Sequence, residues 1–136
     1  KDPTKNAFRS LSRFAVRIIL FSTNKEILLF AGCEEYKPDA EVDKLIPKTI
    51  ESKSIQSTNL YISAVTGEIN FDFLVPVISS GDSSCIAILL FSINPNITLF
   101  PTIQSWPVKS KTSESLILRL EKDSVVFLNE LRHKKD

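Results

Sequence analysis

Two segments of this chain are apolar on both faces and too short to be anything but strands. Val16–Ser22 carries Ile18, Ile19, Leu20 and Phe21 in succession, and Cys85–Ile93 carries Ile86 to Phe91. A strand apolar on both sides belongs in the interior of a sheet that is covered on both faces. The two segments are therefore expected to be neighbours at the centre of one sheet. At 136 residues the chain has the length of one ordinary domain.

The remaining elements follow from local signals. Asp2-Pro3 can open a helix, and Phe8, Leu11, Phe14 and Ala15 recur at helical spacing, which predicts a helix from about Pro3 to Phe14. Thr23-Asn24-Lys25 is a turn, and Ile27–Ala31 is a second strand apolar on both sides. Residues 33–57 are polar and contain Pro38 and Pro47. Short helices are expected at Ala40–Leu45 and Pro47–Ser52, with Pro47 opening the second. Asn59–Val65 and Glu68–Ile78 flank Thr66-Gly67 and read as a two-residue hairpin. That register pairs Ala64 with Ile69, Ile62 with Phe71 and Leu60 with Phe73, which predicts a core face. It leaves Asn59, Tyr61, Ser63, Asn70, Asp72 and Leu74 on the other. Ser79–Ser83 is a turn. Asn94-Pro95-Asn96 opens a short helix through about Gln104, and Leu116–Leu120 and Val125–Leu131 form a last hairpin.

The expected fold is α+β: a five-stranded antiparallel sheet of spatial order 2-1-5-4-3, with an N-terminal helix and short helices inserted after strand two. This is the element order of a PAS-like sensor fold, and the last hairpin is surplus to it.

Chemistry is scarce in this composition. The 17 basic and 16 acidic residues leave a net charge of +1, with no basic excess for a nucleic acid. No apolar run approaches the roughly 18 residues of a membrane helix. Gly32, Gly67 and Gly81 are too far apart for a phosphate loop. Cys33, Cys85 and His133 lack metal-ligand spacing, so no metal and no cofactor are expected. His133 sits in Arg132-His133-Lys134-Lys135, an exposed charged setting that does not suit the base of a nucleophilic enzyme. No catalytic residue is assigned. In the order 2-1-5, strands two and five lie about 9–10 Å apart, beyond the roughly 7 Å that a disulfide spans. Two free, largely buried thiols are expected.

The run from Trp106-Pro107-Val108-Lys109-Ser110 through Leu116-Ile117-Leu118-Arg119 to Asn129-Glu130-Leu131-Arg132 resembles a tract of the extracytoplasmic PAS-like sensor domains, the Cache or PDC family, of prokaryotic sensor histidine kinases and diguanylate cyclases. Weaker matches lie at Arg17–Phe21, Phe73–Ile78 and Asn94-Pro95. In double-Cache members this tract follows the membrane-distal domain. The resemblance implies a sensor domain at residues 1–105, then a connector and the first hairpin of a truncated second domain at 106–136. It also implies a non-catalytic, ligand-sensing portion of a two-component membrane receptor, extracytoplasmic and tethered to the membrane by segments outside this sequence. A small-molecule ligand and a homodimer are the implied partners. Ligands of such domains bind between one sheet face and the helical insert, which makes Tyr36, Asn59, Tyr61, Asn70 and Asp72 the candidate lining. Trp106, Pro107, Ser110, Thr112 and Glu114 fall in the connector. The Arg-x-Trp-Tyr cluster of amino-acid-binding members has no counterpart, because no Arg lies between Arg17 and Arg119 and the one Trp is in the connector. Two other readings fit the same residues: a structural or dimerisation module without a ligand, and an intracellular PAS- or profilin-like adaptor.

Overall fold

The computed structural model describes residues 17–31, 37–105, 115–121 and 123–129. The expected N-terminal helix lies outside them, as do Cys33, Tyr36 and the five connector residues Trp106, Pro107, Ser110, Thr112 and Glu114. The chain divides into two compact units, Lys1–Asn94 and Pro95–Asp136.

The first unit is built on a mostly antiparallel sheet. Its strands are β1 (Arg17–Ser22), β2 (Ile27–Ala31), β3 (Gln56–Ser57), β4 (Tyr61–Ile62), β5 (Ile69–Ile78) and β6 (Cys85–Ile93), with one helix, α1 (Ala40–Ser52), inserted after β2. The order is β2-β1-β6-β5-β3, and β4 pairs with β5 off that path. β1 and β6 pair along their length at the centre, from Arg17↔Ser92 to Ser22↔Ala87. This is the position that their two-sided apolarity demands.

One face of the sheet forms three consecutive rows across β1, β6 and β5. Phe21, Ile88 and Pro76 make one; Ile19, Leu90 and Leu74 the next; Arg17, Ser92 and Asp72 the third. The first two rows carry the core. Ile19, Phe21, Leu74, Ile88 and Leu90 pack with Val42 and Ile46 of α1, all nearly inaccessible to solvent. The third row is polar and begins the candidate site.

The structure corrects the sequence reading at four places. First, α1 is a single helix, and Pro47 lies inside it instead of opening a second one. Proline in a helix interior costs about 3 kcal/mol. Here Val42, Ile46 and Thr49 are buried on the sheet side while Pro47 is exposed, so packing of one continuous face offsets the break. The Thr49 hydroxyl donates to the Leu45 carbonyl at 2.8 Å, which keeps it satisfied.

Second, strand three is not continuous from Asn59 to Val65. It is two short pieces of different register, Gln56↔Leu74 and Ser57↔Phe73 in β3, then Tyr61↔Asn70 and Ile62↔Ile69 in β4. Thr58 turns inward between them and is buried. Its Oγ1 accepts from the Asp72 amide at 2.9 Å, and its amide donates to the Asp72 carbonyl at 3.0 Å. A side chain thus replaces a ladder bond, and the strand slips by one residue. The loop that follows is also longer than two residues. Gly67 donates to the Ser63 carbonyl at 2.8 Å and adopts φ of 72°, in the left-handed region that favours glycine.

Third, the predicted core face of this hairpin is only partly enclosed, with Phe71 and Phe73 half-buried. Ile62 is 72% exposed and Ala64 is exposed, while Asn70, Asp72 and Leu74 on the opposite face are buried. The hairpin alone looks more apolar on the Ile62 side. The helix covers the other side, where Val42 and Ile46 pack on Ile19, Phe21, Leu74, Ile88 and Leu90. Fourth, β2, at the edge where the expected order has it, is not covered on either face. Its Ile27, Leu28, Leu29 and Phe30 are all exposed, whereas two-sided apolarity had implied cover on both faces.

In the second unit, α2 (Leu99–Ser105) follows a turn in which Phe100 donates to the Pro95 carbonyl at 2.8 Å. The hairpin β7 (Leu118–Glu121) and β8 (Ser124–Phe127) pairs from Leu118↔Phe127 to Glu121↔Ser124. Asn129 closes its open end, accepting from the Ile117 amide at 2.7 Å and donating to the Ser115 carbonyl at 3.1 Å.

The face assignment has a direct mutational test. Ile46→Ala should lower unfolding free energy by about 2–5 kcal/mol, and Ile62→Ala should change it by about 0.5 kcal/mol or less. Urea denaturation of both variants decides between the observed core and the one read from the hairpin.

A buried polar cluster as the candidate functional site

The polar third row lies where the sheet face meets the start of α1. Arg17, Ser92 and Asp72 sit side by side on β1, β6 and β5. Tyr61 and Asn70 extend the same face through the β4–β5 pairing. Asp39, the residue before α1, reaches the cluster from above. Asp72, Asn70, Ser63 and Asp39 are buried, Asp72 to 1% exposure.

Asp39 ties the helix start to the β4–β5 turn. Its Oδ2 accepts from the Ser63 hydroxyl at 2.8 Å and its Oδ1 from the Ala64 amide at 2.9 Å. Ser63 Oγ in turn accepts from the amides of Val65 and Thr66, at 3.2 and 3.1 Å. The Tyr61 phenol lies between two carboxylates. It donates to Asp72 Oδ2 at 2.5 Å, and Asp39 Oδ2 is 3.5 Å away. Asn70 is oriented so that its side-chain oxygen accepts from Arg17 Nη2 at 2.8 Å and its nitrogen donates to the Ile69 carbonyl at 3.2 Å.

Two buried polar atoms in this network have no partner: Arg17 Nε and Asp72 Oδ1. An unpaired buried donor or acceptor costs about 1–3 kcal/mol, and more when charged. A donor and an acceptor left open in one cluster are what a polar ligand with both functions would fill.

The electrostatics follow from this burial. Desolvation raises the Asp72 pKa above its ordinary value, and the charge of Asp39 adds to that. The Ser92 hydroxyl, the Tyr61 phenol and Arg17 act in the opposite direction without cancelling it. Tyr61 is pushed far above the usual phenol range, first by burial and then by Asp72 and Asp39, so it stays neutral and serves as a hydroxyl.

Of the candidate residues read from the sequence, Tyr61, Asn70 and Asp72 come together. Asn59 does not, because the slip at Thr58 leaves it exposed; Tyr36 lies outside the described residues. Sequence reasoning missed Arg17, Asp39 and Ser92; it placed Ser63 on the polar face but not among the candidate lining. Arg17 and Ser92 interrupt otherwise apolar central strands at positions that pair with each other, and that interruption was a usable signal. Asp39 gave none, because it reads as an ordinary helix N-cap. Cys85 forms no disulfide and is half-buried, less enclosed than expected; its thiol donates to the Ala87 carbonyl at 3.4 Å. Among the described residues, no helix is long and apolar enough to cross a membrane and no cluster of His, Cys, Asp or Glu could hold a metal ion.

No protein-family model matches the chain, and no curated protein matches it. Several solved structures are similar, among them two ligand-binding domains of chemoreceptors. One is the ligand-binding domain of the Pseudomonas fluorescens chemoreceptor CtaA in complex with L-leucine, 18% identical with a TM-score of 0.55; the match covers 77% of this chain and 46% of that one. The other is the ligand-binding domain of the Pseudomonas aeruginosa PAO1 amino acid chemoreceptor PctC in complex with GABA, 17% identical with a TM-score of 0.48, covering 78% and 49%. The chain spans about half the length of each. At this identity the likeness is one of fold: an α+β domain with a mostly antiparallel sheet, similar to chemoreceptor ligand-binding domains.

Two predictions test the cluster. Ser63→Ala should destabilise the protein by about 1–3 kcal/mol, because buried Asp39 Oδ2 loses its shortest hydrogen bond; chemical denaturation measures this. The raised Asp72 pKa means the folded state holds that proton more tightly than the unfolded state. Its stabilising contribution is present at low pH and lost as pH rises through the folded pKa. The melting temperature of the wild type, relative to Asp72→Asn, should therefore fall as pH rises above the ordinary aspartate value of about 3.9.

Proposed function

We propose that residues 1–105 are the ligand-sensing domain of a membrane receptor. In this reading the domain is the membrane-distal, extracytoplasmic part of a double-Cache protein of the histidine kinase or diguanylate cyclase type. It is not an enzyme, and it signals by ligand-biased conformational change. One observation carries the proposal: Asp72 Oδ1 and Arg17 Nε, on either side of Ser92 in one polar row at the start of the inserted helix, are buried without hydrogen-bond partners. Burying such a row without occupants is unfavourable, and a sheet face under a helical insert is where a PAS-like domain holds a ligand. The fold's likeness to the CtaA ligand-binding domain supports the same reading.

The cluster carries two carboxylates, Asp39 and Asp72, against the one guanidinium of Arg17. A small molecule bearing an ammonium group, with an acceptor to take the Arg17 Nε–H, complements it. Amino acids have both groups, and L-leucine is the ligand that the CtaA structure holds. A ligand that prefers one arrangement of α1 and the β4–β5 turn would shift the domain toward it.

Thermal shift with the twenty amino acids and with simple amines, followed by titration calorimetry of any hit, is the test. A ligand present at a hundred times its Kd should stabilise the protein by about 2.7 kcal/mol, and Asp72→Asn should abolish that gain. No stabilisation by any compound, or equal stabilisation of the variant, would overturn the proposal.

A second reading, a structural or dimerisation module, has its own observation. The β7–β8 hairpin exposes Leu118, Leu120, Val125 and Phe127 on one face. A two-stranded hairpin is marginal in water on its own, and a second copy would cover that face. Sedimentation equilibrium should then show a dimer that Leu120→Glu dissociates; a monomer at all concentrations would refute it.

A further inference from the structure

We propose that Asp72, Tyr61 and Asp39 form a proton-operated switch, in which uptake of one proton by Asp72 reverses the Tyr61 hydrogen bond and draws the phenol onto Asp39. This goes beyond ligand sensing, because it describes how the cluster responds to pH with or without a small molecule bound.

The geometry supplies two states. A phenol has one proton to donate and lone pairs to accept with. In the present arrangement that proton goes to Asp72 Oδ2, 2.5 Å away, and Asp39 Oδ2 stands off at 3.5 Å. Asp39 is held by the Ser63 hydroxyl and the Ala64 amide instead. A proton from solvent on Asp72 Oδ2 turns that oxygen into a donor. It then donates to Tyr61 Oη, which is free to swing its own proton to Asp39 Oδ2. The balance is one proton gained by the protein, residing on Asp72. The phenol stays neutral throughout.

The surroundings favour uptake at Asp72. Asp72 is buried with Oδ1 unserved, whereas both oxygens of Asp39 accept hydrogen bonds. The groups that face Asp72 from each packed element are Arg17 on β1, Ser92 on β6, Tyr61 on β4 and Asp39 ahead of α1. Arg17, Ser92 and Tyr61 favour the ionised form, Asp39 opposes it, and burial opposes it most. The backbone of Asp72 cannot follow the proton, since Thr58 bonds both its amide and its carbonyl. The mobile partner is therefore the phenol and, through Asp39, the joint between the start of α1 and the β4–β5 turn. A new Tyr61–Asp39 bond of ordinary length, about 2.7 Å, requires that joint to close on β4.

The test is an NMR titration of the full chain without added ligand. The side-chain carboxyl carbons of Asp72 and Asp39 and the amide of Ala64 are followed from pH 3 to pH 8. Asp72 should titrate above the ordinary aspartate value of about 3.9. The Asp39 carbon and the Ala64 amide should each show a step at that same midpoint. In Tyr61→Phe the Asp72 titration should remain while the linked steps at Asp39 and Ala64 are lost. Titration of Asp72 at or below the ordinary value would overturn the proposal. So would a wild-type Ala64 amide that does not move at the Asp72 midpoint, or linked steps that persist in Tyr61→Phe. The wild-type comparison decides the matter even if Tyr61→Phe does not fold. Because no ligand is present, failure here leaves the ligand-sensing reading standing, and failure to find a ligand leaves the switch standing.

Discussion

The ladder between β1 and β6 is the interaction on which the rest depends. It sets Arg17 against Ser92, Ile19 against Leu90 and Phe21 against Ile88. β5 then adds Asp72, Leu74 and Pro76 in the same rows. Side chains alternate strictly along a strand, so a slip of one residue in this ladder would exchange the faces. The apolar rows would leave α1, and the polar row would go to the other side. Core and site are thus specified by one register.

That shared register explains how a costly cluster is tolerated. Arg17, Asp39 and Asp72 are expensive to enclose, and burying ionised groups is offset only when they are hydrogen-bonded or paired. Here most of the demand is met locally. Thr58 takes the Asp72 backbone, Ser63 and Ala64 take Asp39, and Asn70 takes one arm of Arg17. What remains unmet, Arg17 Nε and Asp72 Oδ1, is confined to one place. The apolar rows beside it, with Val42 and Ile46 against Leu74 and Leu90, supply the stability that lets the polar row persist. Asp39 belongs both to the cluster and to the start of α1.

Much of the fold was legible in the sequence, because strand periodicity is local. Two-sided apolarity placed β1 beside β6, and the turns at Thr23–Lys25 and Ser79–Ser83 separated the strands that they should. What failed depended on contacts between distant segments. Nothing near Pro47 announces that one helix face will be held across it by Leu74 and Leu90. Nothing near Thr58 announces that its hydroxyl will take the place of a ladder bond. Nothing near Ile62 announces that it ends exposed while Phe71 and Phe73, on the same predicted face, are half-buried. The site was half legible. Tyr61, Asn70 and Asp72 share one face, which strand alternation makes visible. Arg17 and Asp39 lie 22 residues apart by number and join them only once β1, α1 and β5 are assembled.

The central claim is that this buried polar row is a site built to hold something. A crystal structure of the protein, purified without added ligand, tests it most directly. The account predicts a non-protein group hydrogen-bonded to both Asp72 Oδ1 and Arg17 Nε. An Asp72 and Arg17 closed on each other in a direct ion pair, with nothing between them, would contradict it.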